Sequence, residues 1–182
     1  MTTNAYAING QLGIDVTAAG VTTPQFAVGT RVRLSDGSEW IYVKASATCN
    51  QYDMLGVSDD ATCAGLTTTL ASTGVALAVA QQALTSGSYY WVLTANPTPP
   101  AVASAGVPAS TDNYKVRTAA SCAVNAKLAT TATAGTIDDT TAGTSLRIDN
   151  IVLTDTNTTS TTSARTFRTS VGGMVLSGTL AI

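Results

Sequence analysis

The 182-residue chain contains no histidine. Histidine is the side chain best suited to general acid–base work near neutral pH, so nucleophilic catalysis has no ready base. Lys44, Lys115 and Lys127 are the only lysines that could stand in. There is no Gly-x-Ser-x-Gly elbow and no Gly-x-x-x-x-Gly-Lys-Thr phosphate loop, and the chain is expected not to be an enzyme. Charge is scarce too: 11% of residues are charged and the net charge is -2. Globular chains carry about 25% charged residues. No basic patch is available for nucleic acid, so direct nucleic-acid binding is not expected.

Long apolar runs are missing, and no stretch approaches the ~18 residues of a membrane span. The start, Met1-Thr-Thr-Asn-Ala-Tyr-Ala, lacks the basic and apolar regions of a signal peptide. The three cysteines, Cys49, Cys63 and Cys122, are an odd number without any Cys-x-x-Cys pair. Buried free thiols in a reducing compartment are the plain reading. Without histidine, zinc would need a carboxylate or an intersubunit site. Asp59-Asp60 and Asp138-Asp139 lack the spaced acidic pattern of a calcium loop and read as solvated turns. No metal and no cofactor are expected.

What is abundant is Ala, Thr and strand-like segments. Val32 and Leu34 alternate with Arg31 and Arg33, the period of a half-buried strand. Asp36-Gly37 supplies hairpin-turn chemistry, and Glu39-Trp-Ile-Tyr-Val-Lys44 is the return arm. A lone hairpin is unstable in water, so the rest of the chain must supply partner strands. Residues 45–74 read as turn-rich. Residues 75–84 combine strand and helix signals and are taken as strand, because turn chemistry at 85–88 leads into Tyr89-Tyr-Trp-Val-Leu93. Further strands are expected around Val116, Leu146–Leu153, Thr166–Val171 and Val175–Ile182, with an exposed Thr-rich loop at 154–162.

The expected fold is all-β, an antiparallel β-sandwich or barrel built from hairpins, with long polar loops and an extended N-terminal arm. Residues 1–25 form that arm or an edge strand. Residues 26–182 form one β-rich domain, with two possible halves divided at the proline-rich 96–108. Val43-Lys-Ala-Ser-Ala-Thr-Cys49 is similar to Val116-Arg-Thr-Ala-Ala-Ser-Cys122, with Leu55 and Leu128 at the same offset. A duplicated unit would explain this, but in a chain so biased to small residues chance is the simpler account. Tyr6, Leu12, Ile14, Val16, Trp40, Tyr89, Tyr90 and Trp91 are the candidate interface residues, since aromatic and apolar side chains anchor interfaces. Adjacent tyrosines face opposite ways on a strand, so one face is expected to be core and the other interface.

The pattern Val28-Gly-Thr-x-Val-x-x-x-Asp-Gly-Ser-x-Trp-Ile-Tyr-Val-x-Ala45 resembles the opening hairpin of capsid decoration (cement) proteins of tailed bacteriophages. Ala80-Gln-Gln-Ala-Leu-Thr-Ser-Gly-Ser-Tyr-Tyr-Trp-Val92 continues the likeness, with Tyr90 where such proteins often have glycine. Residues 115–139, with Leu128-x-Thr and Ala134-Gly-x-Ile-Asp, extend it. The resemblance implies a virion protein on the outer capsid surface, made in the host cytoplasm. Its partners would be the major capsid protein and further copies of itself, a trimer before a dimer, and it would stabilise the shell by bridging capsomers. On that reading residues 1–25 order on the capsid or a neighbour, and deleting them leaves the domain folded. A phage tail or fibre module binding a host receptor or glycan is the alternative.

Overall fold

A computed structural model describes residues 14–34, 36–97, 114–140, 144–170 and 172–179. The order is β1 (Arg31–Arg33), β2 (Glu39–Ala45), β3 (Met54–Val57), β4 (Thr62–Gly65), α1 (Thr68–Ala71), β5 (Ala76–Val79) and β6 (Tyr89–Ala95). Then follow β7 (Lys115–Thr118), β8 (Leu128–Thr130), β9 (Ile137–Asp138), β10 (Leu146–Asp149), β11 (Ile151–Leu153), β12 (Ser163–Thr169) and β13 (Val175–Thr179). The fold is all-β, and no described helix is long and apolar enough to cross a membrane.

The β1–β2 hairpin forms with Val32 opposite Trp40. Gly37 turns it at φ +85°, a value glycine adopts without steric cost. Residues 76–79 are strand, not helix. Residues 45–74, read from sequence as turns, instead hold β3, β4 and the one-turn α1. Met54-Leu-Gly-Val is buried along its whole length and β4 is only four residues, so neither shows a period-two signal. Thr67 caps α1 by accepting the Leu70 N–H.

The first sheet runs β1-β2-β4-β3-β5-β6, and β2 also pairs with β6. That second pairing closes a barrel of β2, β4, β3, β5 and β6, with Tyr42 opposite Trp91 and Val43 opposite Tyr90. Most pairs are antiparallel, but β2–β4 is parallel. The second sheet, a curled half-barrel, runs β11-β12-β7-β9-β8-β10-β13.

Apart from β1 and β13, the two sheets repeat the same strand pairings. The parallel pair Ala45–Cys63 corresponds to Thr118–Ile137, and the antiparallel pairs Gly56–Ala64 and Val57–Cys63 to Ala129–Asp138 and Thr130–Ile137. Leu55–Ala78 corresponds to Leu128–Ile148, and Val43–Tyr90 to Val116–Arg165. Only Asn150 separates β10 from β11, so the run 146–153 borders β8 at one end and β12 at the other, as β5 borders β3 and β6. Details outside the ladders match as well. Cys49 O accepts the Leu84 N–H and Cys122 O the Asn157 N–H, at 2.9 and 2.8 Å. Left-handed backbone recurs at Tyr52 and Asn125, and at Ala61 and Gly135. Chance similarity of small residues does not reproduce registers, so the Val43–Cys49 likeness marks a duplicated unit.

Two apolar clusters fill the molecule. One packs Ile41, Val43, Leu55, Cys63, Ala78, Leu84, Tyr90 and Val92 inside the closed barrel. The other joins the opposite face of that barrel, with Trp40, Tyr42, Met54, Trp91 and Leu93, to Val116, Leu128, Ile137, Leu153 and Phe167 of the second repeat. Both faces of β2 and β6 are therefore buried.

The second repeat carries polar groups at positions that are apolar in the first. Asn157 stands where Leu84 does and Arg165 where Tyr90 does. Asn157 is fully buried inside the loop 154–162, which the sequence presented as exposed throughout. Its amide donates to Ala119 O (2.6 Å) and Thr161 O (3.1 Å), and its oxygen accepts from Thr159 and from Arg165 Nη2 (2.8 Å). A buried amide is tolerated when it is this fully bonded.

Candidate interaction surface

The β2–β6 pair lines up the aromatic residues because Tyr42 and Trp91 are cross-strand partners and Tyr89 follows two residues before Trp91. Tyr42 lies 5.1 Å from Trp91 and stacks on Tyr89 at 6.1 Å, ring centre to ring centre. Phe26 sets its edge against both Tyr42 and Trp91 at 5.3 Å. Lys44 Nζ sits 5.8 Å over the Tyr89 ring.

Residues 14–26 run across this group as a strap. Val21 and Tyr89 exchange both backbone hydrogen bonds, at 3.3 and 2.8 Å. The Gln25 N–H donates to the Tyr42 hydroxyl at 3.2 Å, and Gln82 Nε2 donates to Ala18 O at 2.9 Å. Val16 is buried and Ile14 packs against the core. A small cleft of about 100 Å³ remains between the strap and the Tyr42, Tyr89 and Trp91 rings.

Several interface candidates are enclosed in this fold. Trp40 is 1% exposed, Trp91 4% and Tyr90 5%, so none of the three reaches the surface in this conformation. Tyr90 points into the closed barrel, and its hydroxyl accepts the Thr85 N–H at 2.9 Å. Trp40 packs on Tyr114 and donates from Nε1 to Ser38 Oγ at 2.9 Å. Tyr114 in turn donates to Asp36 Oδ2 at 2.7 Å, and burial pushes its phenol pKa well up. The expected division of Tyr89 and Tyr90 between core and interface gives way to core on both sides, with only Tyr89 half-buried. Tyr6 and Leu12 lie outside the described residues.

The surface that sequence reasoning passed over is elsewhere. Arg31 and Arg33 are exposed on β1, whose described pairing is with β2 alone. Among the described residues, Val28, Val124, Val152 and Val175 are the exposed large apolar residues.

The thiols are free and buried, as their spacing suggested. Burial pushes Cys63 and Cys122 up to about 12. Cys49 is also raised, first by burial and then by the Asp53 carboxylate. Asp53 is itself buried at the junction of the repeats, with Arg117 Nε 3.1 Å from Oδ1 and the Asn50 N–H 2.7 Å from Oδ2. Burial raises its pKa, and the Asn50 and Arg117 contacts oppose the rise. Asp60 fits its reading as an exposed turn residue, accepting from the Thr62 N–H and hydroxyl at 3.0 and 2.8 Å. Asp138 does not: it is in β9, half-buried, with its carboxylate beside Asp139 and Cys122.

Compared with protein-family models, curated proteins and solved structures, the chain gives no match in any of the three.

Proposed function

We propose that this chain is a capsid decoration protein, a structural virion component that binds the outside of an assembled phage shell and bridges neighbouring capsomers. What carries the reading is where the resembling segments fall in the fold. Val28–Ala45 and Ala80–Val92 contain β1 and, next to it, β2 and most of β6, the two strands whose pairing closes the first barrel. The likeness is thus to a structural frame, and its Asp36-Gly37 and Trp40–Val43 residues do structural work there.

The activity would be binding energy alone. A protein that binds only the expanded shell stabilises it by mass action, about 2.7 kcal/mol per site at a hundredfold excess over Kd. Bridging two capsomers adds the effective concentration of a second, tethered contact. Homo-oligomer formation at a local symmetry axis, trimer before dimer, belongs to the same proposal.

The test is co-sedimentation of the purified protein with shells that lack it, together with shell melting. Binding at fixed stoichiometry and a raised shell melting temperature are expected. A stable protein that ignores such shells would overturn the proposal. Truncation tests should stop at residue 13: Val16, Val21 and Gln25 hold the strap over Tyr42 and Tyr89, so removing all of 1–25 uncovers core.

A further inference from the structure

Cys122 is fully buried, and its sulfur lies with one carboxylate oxygen each of Asp138 and Asp139 in a group whose atoms are all within 4.8 Å of one another. The first repeat supplies an internal control for what the frame itself requires. There the equivalent cysteine is Cys49, and the residues matching Asp138 and Asp139 are Ala64 and Gly65. The backbone N–H of Gly65 faces the Cys49 sulfur, and that of Asp139 faces the Cys122 sulfur. The same strand corner is therefore built with two small uncharged residues in one repeat and two acids in the other.

The thiols differ as well. Cys49 Sγ donates to Ala47 O at 3.6 Å. The Cys122 thiol hydrogen has no such acceptor among the described residues, although the side chain is wholly enclosed. Asp139 Oδ2 accepts the Ala123 N–H at 2.8 Å and Asp138 Oδ1 the Asp139 N–H at 2.8 Å, which fixes both carboxylates beside the sulfur. Among the described residues neither carboxylate has an ion pair. Two half-buried acids side by side repel one another, and a thiolate would add a third negative charge.

We propose that Cys122, Asp138 and Asp139 form a site for one borderline divalent cation, with zinc the best fit to one thiolate and two carboxylates. A single sulfur with two oxygens excludes the all-oxygen shells preferred by calcium and magnesium. Zinc accepts this mixture, at about 2.3 Å to sulfur and about 2.0–2.2 Å to oxygen, and leaves a fourth position for water or a partner's ligand. Bound there, the ion would tie β9 to the corner after β7. The inference stands independently of the capsid reading.

The experiment uses the full chain, purified under reducing conditions, stripped of metal with a chelator and titrated with cobalt(II). A thiolate-to-cobalt absorption band saturating at one equivalent per chain is expected, and added zinc should abolish it. Cys122→Ser should remove the band, while Cys49→Ala and Cys63→Ala keep it. Asp138→Asn should weaken cobalt binding at least tenfold. This near-isosteric change on a half-buried residue guards against misreading a folding defect, and far-UV circular dichroism checks each variant. Absence of the band at excess cobalt would overturn the proposal. So would a band that persists in Cys122→Ser or retains full affinity in Asp138→Asn.

Discussion

Gly135 and Ala61 occupy the same place in the two repeats, two residues before the strand residues Ile137 and Cys63, and both have left-handed backbone, at φ +76° and +58°. Swapping their residue types should have unequal effects. A methyl group added at Gly135 would lie 2.3 Å from Asp53 Cγ and 2.6 Å from Asp53 Cβ. The obstacle includes Cβ itself, so a rotamer change does not clear it. Asp53 is held from both sides by Asn50 and Arg117, and the Gly135 backbone is held by Leu66 O and the Met54 N–H. Left-handed strain costs about 1–2 kcal/mol and overpacking about 1–3 kcal/mol, while the stiffer unfolded chain returns about 0.4–1 kcal/mol. Gly135→Ala should therefore destabilise by about 2–4 kcal/mol, a large part of the ~5–15 kcal/mol of a typical domain. Ala61→Gly relieves about 1–2 kcal/mol of strain but loses one buried methyl, about 0.8 kcal/mol, and adds about 0.5–1 kcal/mol of chain entropy. Its net effect should lie within about 1 kcal/mol of zero. Urea unfolding followed by tryptophan fluorescence measures both, with an unchanged slope licensing the comparison. Two variants within 1 kcal/mol of each other would refute the clash at Asp53 as the difference between the sites.

Asn157→Leu, which copies Leu84 of the first repeat, should cost about 3 kcal/mol or more, because Arg165, Thr159 and two carbonyls lose their buried partner; a neutral result in thermal unfolding would show that the network is dispensable. Burial raises the Asp53 pKa, so the native state holds that proton more tightly than the unfolded state. Its contribution is present at low pH and fades as pH climbs above the ordinary carboxylate value of about 4, and Asp53→Asn should flatten that part of the stability-against-pH curve. Cys63 and Cys122, both pushed up to about 12 and enclosed, should resist a thiol-specific disulfide reagent at pH 8 until urea unfolds the chain, whereas rapid labelling of either in the native protein would contradict the burial.

What the sequence made legible follows physical rules. The β1–β2 hairpin announced itself because alternation and an Asp-Gly turn coincide there, and β6 because five strand-forming residues follow a turn. β3 and β4 were hidden because four-residue strands, one of them buried along its whole length, have no period to read. Alternation alone assigns the aromatic residues to an interface because it reports two faces but not whether both are covered. Here the strap and the second repeat cover what would otherwise be the open side. The duplication showed only at Val43–Cys49 and Leu55, the positions that kept their type. Elsewhere the inward residues diverged, Leu84 against Asn157 and Tyr90 against Arg165, while the registers did not. The Cys122, Asp138 and Asp139 group was invisible because parallel β7–β9 pairing brings together residues far apart in the chain.

The same burial bears on how such a molecule can bind. With both faces of β2 and β6 covered, the first repeat has no spare aromatic sheet face to offer. Under the decoration reading, contacts would come from the strap and what precedes it, from loops, and from sheet margins such as β1, where Arg31 and Arg33 stand exposed. Charged edge residues discourage indiscriminate strand pairing, so a partner at β1 would need acidic groups to engage them. Strands fixed on both faces lose little further freedom on association. Under the decoration reading, affinity is then limited by ordering the segments at the margins. Shortening the chain before Ile14 should change shell binding far more than it changes the unfolding midpoint, whereas cutting into Val16–Val21 should lower both together.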